Sequence, residues 1–280
     1  MDQKNIYDEF SASSSKLATN LYSTSFSLGI LLFSKSIRPN IYAIYGFVRL
    51  ADEIVDSFMG YEQERLLDDF EKDTYQSIED GLSLNPILNS FQDTVNKYQI
   101  PHELIDAFLK SMRMDLHQSN YSQQEVGDYI YGSAEVVGLM CLRIFCDGND
   151  ALYNTLTPYA KSLGAAFQKV NFLRDLKDDY HVLGRSYFED IDFEHFDLES
   201  KQKVEQDMKQ DFDHALIGIK QLPASSRFGV YIAYIYYFSL FQKIERLHYK
   251  SIAEKRIRIS NFEKYRLLLK SWFLYKFNLV

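Results

Sequence analysis

The most constraining feature of the sequence is the stretch 41–58, IYAIYGFVRLADEIVDSF, which is apolar on almost every side when it is wound as a helix. A helix that is hydrophobic all round is normally buried. Four charged residues nevertheless interrupt it: Arg49, Asp52, Glu53 and Asp56. Their spacing sets Arg49, Asp52 and Asp56 along one line of the helix surface. Buried carboxylates are costly unless a cation meets them, and one arginine cannot neutralise three acids, so we expect a divalent metal ion to face this line.

A second acidic stretch, QKVNFLRDLKDD at 168–179, strengthens this interpretation. Its polar residues again keep to one helical line: Gln168, Asn171, Asp175 and Asp179. Aspartates at i and i+4 are also common on solvated helix faces, so either pair alone is a weak signal. Two such stretches, each with an arginine near its first aspartate, predict two facing walls of one site. Oxygen ligands of this kind suit Mg²⁺ bound together with phosphate.

The composition of the chain and the positions of its prolines predict an all-α protein. Twelve glycines and five prolines are few for 280 residues, no stretch alternates as a strand does, and each proline stands where a helical pattern begins, including Pro158. No linker divides the chain, so we expect a single domain over residues 1–280. A net charge of −8 argues against a nucleic-acid partner.

Localisation follows from similar arguments. Cys141 and Cys146 lack zinc-site spacing and are expected to be reduced core residues of a cytoplasmic protein. The N-terminal sequence lacks the pattern of a signal peptide, and no uninterrupted apolar run reaches the length of a membrane-spanning helix.

Three further stretches are candidates for substrate contact. Hydroxyls in YSTSF, which contains Ser23, Ser25 and Phe26, can bind phosphate oxygens, although Ser and Thr are equally ordinary helix caps. In YGSAEVVGLM at 131–140, the small residues are expected along one face of a helix, where they either allow close helix packing or leave room for a ligand: Gly132, Ser133, Ala134 and Gly138. The stretch GRSYF at 184–188 offers an arginine and a tyrosine to phosphate.

Together these five motifs, STSF, YGFVRLADEIVD, YGSAEVVG, QKVNFLRDLKDD and GRSYF, resemble the squalene/phytoene synthase family in the same order, over about residues 23–258. The resemblance is closest to bacterial phytoene synthases. It implies a helical bundle of the isoprenoid-synthase type around a central cavity, and the Mg²⁺-dependent, head-to-head joining of two prenyl diphosphates through a cyclopropyl intermediate. Mn²⁺ would be a substitute metal, and no NADPH is expected.

The resemblance also assigns roles. It identifies Asp52 and Asp56 as the first aspartate-rich motif, Asp175 and Asp179 as the second, and Asn171 as a further metal ligand. Catalytic roles extend to Tyr45 and Tyr237. The expected substrate contacts are Ser23, Ser25, Phe26, Arg49, Tyr131, Ala134, Gly138, Gln168, Arg174, Tyr187 and Arg256. The GRSYF stretch continues with Glu189 where many relatives have proline, and Tyr22 stands where some have histidine.

The substrate choice stays open between two chain lengths. Small residues at 132, 134, 138, 164 and 165 are consistent with a deep tunnel for geranylgeranyl diphosphate, which gives phytoene. The alternative is a squalene or dehydrosqualene synthase acting on farnesyl diphosphate. A non-catalytic scaffold of the same family is more remote, because both aspartate motifs are intact. A head-to-tail prenyltransferase or terpene cyclase is also more remote, because the usual DDxxD spacing is absent at Asp52.

The C-terminal stretch supports a separate hypothesis. Residues 255–280 carry seven basic residues against one acid, with aromatic residues between them. Such a segment can lie on an anionic bilayer, which would give the protein a peripheral contact with the inner face of the membrane. The alternative is a last helix packed on the bundle with its lysines in water.

Overall fold

The computed structural model describes residues 3–117, 122–178, 198–248 and 257–277, and every regular element in these ranges is a helix. The all-α prediction is therefore confirmed. The helices are α1 Gln3–Tyr22, α2 Thr24–Ile30, α3 Arg38–Asp56, α4 Gln63–Asp80, α5 Pro86–Tyr98, α6 His102–His117, α7 Gln123–Ile130, a π-helical turn Tyr131–Glu135, α8 Val136–Cys146, α9 Asp150–Asp178, α10 Leu198–Gln221, α11 Arg227–Glu245 and α12 Asn261–Lys276.

Four of the five prolines stand at helix starts, as the sequence predicts. Pro39 lies in the first turn of α3, Pro86 opens α5, and Pro101 and Pro223 precede α6 and α11. The prediction for Pro158 is wrong, because this residue lies inside the 29-residue helix α9. Proline leaves the carbonyl four residues earlier without its donor. Both Pro158 and Asn154 are exposed, so water can bind that carbonyl.

The core is built around a cluster of stacked rings. Phe47 of α3 is fully buried and stacks on Phe91 of α5 with ring centroids 3.9 Å apart. Phe70 of α4 and Phe108 of α6 approach the same ring at 5.4 Å. One hydrophobic cluster continues from these rings to buried residues of α8, α9, α10 and α11. The single-domain interpretation of residues 1–280 stays a prediction.

The stretch Gln124–Cys146, which joins α7, the π-helical turn and α8, is long and apolar enough to cross a membrane by length and composition. It is the one such helix among the described residues, and 56% of its most apolar 18-residue window is buried inside the protein. A core helix of a soluble protein passes the same test, so the finding is weak support for a membrane span.

Two glycines bring this segment close to its neighbours. A Cβ atom on Gly132 would lie 2.4 Å from the Ala107 carbonyl oxygen of α6, and one on Gly164 of α9 would lie 2.9 Å from the Ala134 carbonyl oxygen. Both positions therefore require glycine for close packing. Gly132 consequently faces α6, and the expectation that it shares a face with Ala134 and Gly138 is wrong.

Candidate active site

A cavity of about 830 Å³ lies between α2, α8, α9, α10 and α11. The α9 residues that line it run from Leu156 to Arg174, which corresponds to about 27 Å at roughly 1.5 Å per residue. Helix α8 runs antiparallel beside α9. Gly138 faces Ala160, and the Arg143 guanidinium lies 4.4 Å from the Tyr153 ring centroid. The cavity is therefore a long tunnel with two distinguishable ends.

One end of the tunnel, which we call the apolar end, is closed by Phe33 and Phe145. Their ring centroids are 5.3 Å apart, and both side chains are buried. Phe145 lies at the end of α8 that pairs with the start of α9, so this end is remote from Arg174. Phe33 lies so close to Gly229 that a Cβ atom there would be 2.3 Å from its ring. Because Gly229 has no side chain, the Phe33 ring can occupy this position.

Small residues line the tunnel between its ends. Ala134, Gly138 and Gly164 are among its lining residues, as the sequence predicts. Two other expected residues lie elsewhere. Ala165 packs in a separate small cluster with Tyr129, Ile130 and Phe172. Tyr131 is not part of the lining, and its ring instead packs under the Lys161 ammonium at 4.7 Å.

The opposite end, which we call the polar end, is formed on α9 by Gln168, Asn171 and Arg174. The Arg174 guanidinium donates from Nε to both carboxylate oxygens of Asp175, at 3.0 and 3.1 Å. Burial of Arg174 acts to lower its pKa, but the bonds to Asp175 and the nearby Tyr237 outweigh burial, and the pKa is raised. A permanent cation therefore stands at the end of an apolar tunnel.

Tyr237 of α11 completes this end. Its ring stacks on Phe167 with centroids 3.9 Å apart, and both residues line the tunnel. Burial raises the pKa of the phenol, although the Arg174 charge and a hydrogen bond from Asn171 oppose this. The hydroxyl is therefore neutral at physiological pH and available as a hydrogen-bond donor.

The carboxylates of α3 are less buried than the sequence predicts. The helix ends at Asp56, which is exposed, while Asp52 and Glu53 are partly buried. Arg49 forms ion pairs with both Asp52 and Glu53 on its own helix. It does not line the tunnel itself, but its guanidinium lies 4.3 Å from the ring centroid of Tyr22, which does.

Tyr45 connects the α3 residues with the polar end. Burial raises the pKa of its phenol, whereas the Arg49 charge and a hydrogen bond with Ser23 act to lower it, and Asp52 and Tyr237 act to raise it. The hydroxyl therefore lies near groups of α3 and of α11 at once. The structure brings the two predicted acidic walls to the same end of the tunnel.

Ser23 is a helix cap, which is one of the two roles that the sequence allows, whereas its contact with phosphate stays a prediction. Its hydroxyl caps α2 by accepting from the Phe26 backbone N–H at 3.2 Å, and the residue also lines the tunnel. Phe26 lines the tunnel as well, with its ring 5.6 Å from that of Tyr45. Ser25 lies within α2, but its side chain is outside what the structure describes.

Asp179, Tyr187 and Arg256, and the GRSYF stretch as a whole, also lie outside the described residues. The sequence interpretation missed Phe33, Phe145 and Lys264, all of which line the tunnel. The sequence presents Lys264 only as one of the basic residues of the C-terminal stretch. No periodicity within one helix connects it with α11, where the Tyr236 hydroxyl donates to its carbonyl oxygen at 3.0 Å.

The polar end fits a metal–diphosphate group by the chemistry of its donors. Oδ1 of Asn171 and Nε of Arg49 are buried and have no hydrogen-bond partner among the described residues. One is an oxygen acceptor for a metal ion and the other a donor for phosphate. Within the described ranges, no three Asp, Glu, His or Cys side chains converge as a ready metal site. The predicted set of metal ligands includes Asp179, which lies outside those ranges.

Comparisons with known proteins agree with this architecture. Residues 19–263 match the family described as squalene/phytoene synthase. Phytoene synthase 1 of Solanum lycopersicum is 28% identical over 262 residues, which cover 87% of this chain and 63% of that protein. A 4,4'-diapophytoene synthase of Staphylococcus haemolyticus is 28% identical over 193 residues, covering 68% of this chain and 66% of that protein. The chain thus spans about two thirds of the length of these relatives.

Solved structures show the same fold. A dehydrosqualene synthase in complex with a ligand superposes with a TM-score of 0.81 at 19% identity, covering 96% of this chain and 98% of that one. Squalene synthase HpnC of Alicyclobacillus acidocaldarius gives a TM-score of 0.75 at 21% identity, covering 86% and 95%. With the family match over most of its length, this chain belongs to the squalene/phytoene synthase family.

Proposed function

We propose that the protein is a prenyltransferase that joins two geranylgeranyl diphosphates head to head and yields phytoene. The observation that carries the proposal is one tunnel with a cationic, hydroxyl-rich end and an apolar end about 27 Å away along α9. A prenyl diphosphate has the same polarity along its length.

The polar end would bind the diphosphate groups. Arg174 and Arg49 provide positive charge, and the hydroxyls of Ser23, Tyr45 and Tyr237 provide neutral donors. Donors held in place before the reaction stabilise charge that develops on a leaving group. These residues therefore favour cleavage of the bond between C1 and the diphosphate oxygen, in which the electron pair leaves with the diphosphate.

Mg²⁺, with Mn²⁺ as a substitute, would be held by the carboxylates of Asp52, Asp56 and Asp175 and by Oδ1 of Asn171, with Asp179 completing the set. When bound, it supplies neutralisation of negative charge on the leaving diphosphate. The protein's own share is to hold these oxygens in place, since Arg49 fixes Asp52 and Arg174 fixes Asp175.

The tunnel would then protect the allylic cation. The double bond of the second substrate attacks C1 of the cation, a proton is lost, and a cyclopropyl diphosphate forms. A second loss of diphosphate, rearrangement and loss of another proton give the hydrocarbon. The stacked rings of Phe167 and Tyr237 stand where the cation would form, and aromatic faces attract cations. The apolar lining excludes water.

The raised pKa values of Tyr45 and Tyr237 bear on the proton acceptor. Both phenols are neutral at physiological pH, because burial disfavours their ionised form. A neutral phenol is a weak base. We therefore assign the final proton to an oxygen of the released diphosphate, which would be held beside Arg174.

Chain length separates two candidate functions. The small side chains of Ala134, Gly138 and Gly164 along the tunnel favour the longer geranylgeranyl chain. The similarity to a protein named 4,4'-diapophytoene synthase favours the alternative, a dehydrosqualene or squalene synthase acting on farnesyl diphosphate. Tyr237, Arg174 and the α3 carboxylates would act in the same way in both. Phytoene and dehydrosqualene form by proton loss and need no NADPH, whereas a squalene synthase would also reduce its intermediate with NADPH.

Product analysis tests the proposal. Purified protein is incubated with Mg²⁺, without NADPH, and with geranylgeranyl or farnesyl diphosphate in separate reactions. A C40 hydrocarbon from the first substrate alone supports phytoene synthesis, and chelation of the metal should abolish it. A C30 hydrocarbon from the second alone would retain the mechanism and overturn the assigned chain length. Absence of product from both would overturn the proposal.

A further inference from the structure

The last described helix, α12, presents an apolar face to solvent. Its large apolar side chains recur at helical intervals and are 43–78% exposed. The exposed residues are Phe262, Tyr265, Leu269, Trp272, Phe273 and, at the cap, Phe277. Contiguous exposed patches of large apolar side chains are uncommon on monomeric proteins and mark binding surfaces.

The exposure does not arise because α12 is detached from the rest of the protein. On its opposite face α12 packs against α11, where the Tyr275 ring lies 4.8 Å from that of Phe228. Ser271 is 3% exposed at the same contact side, and the Tyr236 hydroxyl anchors the Lys264 carbonyl. The helix thus has two apolar faces, and the fold uses one of them.

The charge of α12 identifies the kind of surface that would cover the second face. The helix carries Lys264, Arg266, Lys270 and Lys276 against Glu263, a net charge of +3, whereas the whole chain carries −8. Arg266, Lys270 and Lys276 are exposed together with the apolar residues. A basic helix with exposed aromatic side chains is typical of segments that lie in the interface of an anionic bilayer.

A second copy of the chain is a poorer occupant. In a symmetric dimer the same patch meets itself, so two helices of charge +3 would face each other. Trp272 and Tyr265 are moreover the side-chain types enriched at membrane–water interfaces, and the Lys276 ammonium lies 4.9 Å from the Trp272 ring centroid. We propose that the exposed face of α12 docks the protein on an anionic lipid surface.

Docking there would also place the tunnel beside the lipid. Ile257, Arg258 and Ile259, which lead into α12, line the tunnel together with Lys264. If the proposed function holds, a hydrocarbon product could pass from the tunnel to the bilayer along this segment without crossing bulk water. The docking itself does not depend on the reaction.

Sedimentation with vesicles tests the docking. The full-length protein is mixed with vesicles of phosphatidylcholine, or of equal parts phosphatidylcholine and phosphatidylglycerol. We expect binding to the anionic vesicles that weakens as salt is added. The double variant Arg266→Gln, Lys270→Gln should bind roughly 25-fold more weakly, at about fivefold for each basic residue. Leu269→Ser with Phe273→Ser should reduce binding further, because it removes the inserted apolar area.

Helix α1 provides a matched control. It exposes Leu17 and Leu21 at 59% and 74%, but its two lysines are balanced by two acids. Leu17→Ser with Leu21→Ser should leave vesicle binding unchanged. Melting temperatures near that of the wild type would show that each variant is folded.

Three outcomes would overturn the docking proposal: no binding of the wild type to anionic vesicles, equal binding by the α12 and α1 variants, or a dimer in light scattering that the α12 variants dissociate. Turnover in detergent separates this proposal from the proposed function. Vesicle binding by a protein that makes no product would leave the docking intact and refute the reaction, and wild-type turnover without vesicle binding would do the reverse.

Discussion

The two ends of the tunnel are built on different principles. At the polar end, charged groups are held by partners on their own helices, such as Arg49 with Asp52 and Arg174 with Asp175, and they remain partly exposed. At the apolar end, Phe33 and Phe145 are buried against each other and have no polar partner in the contact. Substitutions at the polar end should therefore change the rate, whereas those along the apolar lining should change which chain fits.

The largest effect is expected at Arg174. Arg174→Gln removes the cation beside Asp175 and Tyr237, and turnover should fall by about 10²–10³-fold, as for the loss of one preorganised donor. Arg143→Gln is the matched control. Like Arg174, that arginine lies near a tyrosine and pairs with a carboxylate, here Tyr153 and Asp150, but it lies beside the opposite end of α9. Steady-state kinetics that showed equal losses in the two variants would contradict the division of the tunnel into two ends.

Asp52 should come next. Asp52→Asn keeps the shape of the side chain but removes its charge, and we expect roughly a 10²-fold loss of turnover together with a weaker apparent affinity for Mg²⁺. Glu53→Gln removes the other partner of Arg49 and serves as the control. If a Mg²⁺ titration gave the same midpoint for both variants, Asp52 would have no special role in binding the metal.

A smaller effect, on selectivity, is expected at Gly138. A Cβ atom there meets nothing closer than the Ala160 carbonyl oxygen at 3.4 Å, so a larger side chain can enter the tunnel. Gly138→Leu should lower kcat/KM for geranylgeranyl diphosphate relative to farnesyl diphosphate by about tenfold or more. Gly127→Leu, at an exposed glycine of α7 with open space around it, should leave the ratio unchanged. An unchanged ratio in Gly138→Leu would exclude this part of the tunnel as a determinant of chain length.

The smallest effect concerns pH. Because burial raises the pKa of Tyr237 above its ordinary value near 10, its protonated form should prevail throughout about pH 8–10. Tyr237→Phe should retain the stacking on Phe167 and lower turnover by about tenfold or less, with an unchanged pH profile in this range. A wild-type rate that rose tenfold per pH unit and became flat in the variant would instead identify a tyrosinate base.

Helix content and the two acidic walls could be predicted from the sequence because they depend on local spacing. The all-α class follows from periodicity, and Asp52 and Asp175 each lie beside an arginine that does pair with them. Pro158 shows the limit of the rule that prolines mark the starts of helices. Its helix continues through it because the affected carbonyl is at the surface, which depends on tertiary packing.

The parts that could not be predicted depend on which neighbour a side chain meets. Gly132 and Gly138 occur in one motif, yet Gly132 packs on α6 and Gly138 lines the tunnel. Residues six apart differ by about 120° around a helix axis at 3.6 residues per turn, so the two glycines meet different neighbours. The pairing of Phe33 with Phe145 joins residues more than 100 positions apart. The sequence likewise allows a last helix that packs on the bundle or one that lies on a bilayer, whereas α12 packs on α11 and exposes a basic apolar face as well.

A crystal structure with an unreactive thiodiphosphate analogue of geranylgeranyl diphosphate, in the presence of Mn²⁺, tests the central claim most directly. The account predicts anomalous density for Mn²⁺ between Asp52 and Asp175, the diphosphate against Arg174 and Tyr237, and the prenyl chain directed along α9 toward Phe33 and Phe145. An analogue bound with its diphosphate at the phenylalanine end, or with metal bound away from both aspartates, would contradict it.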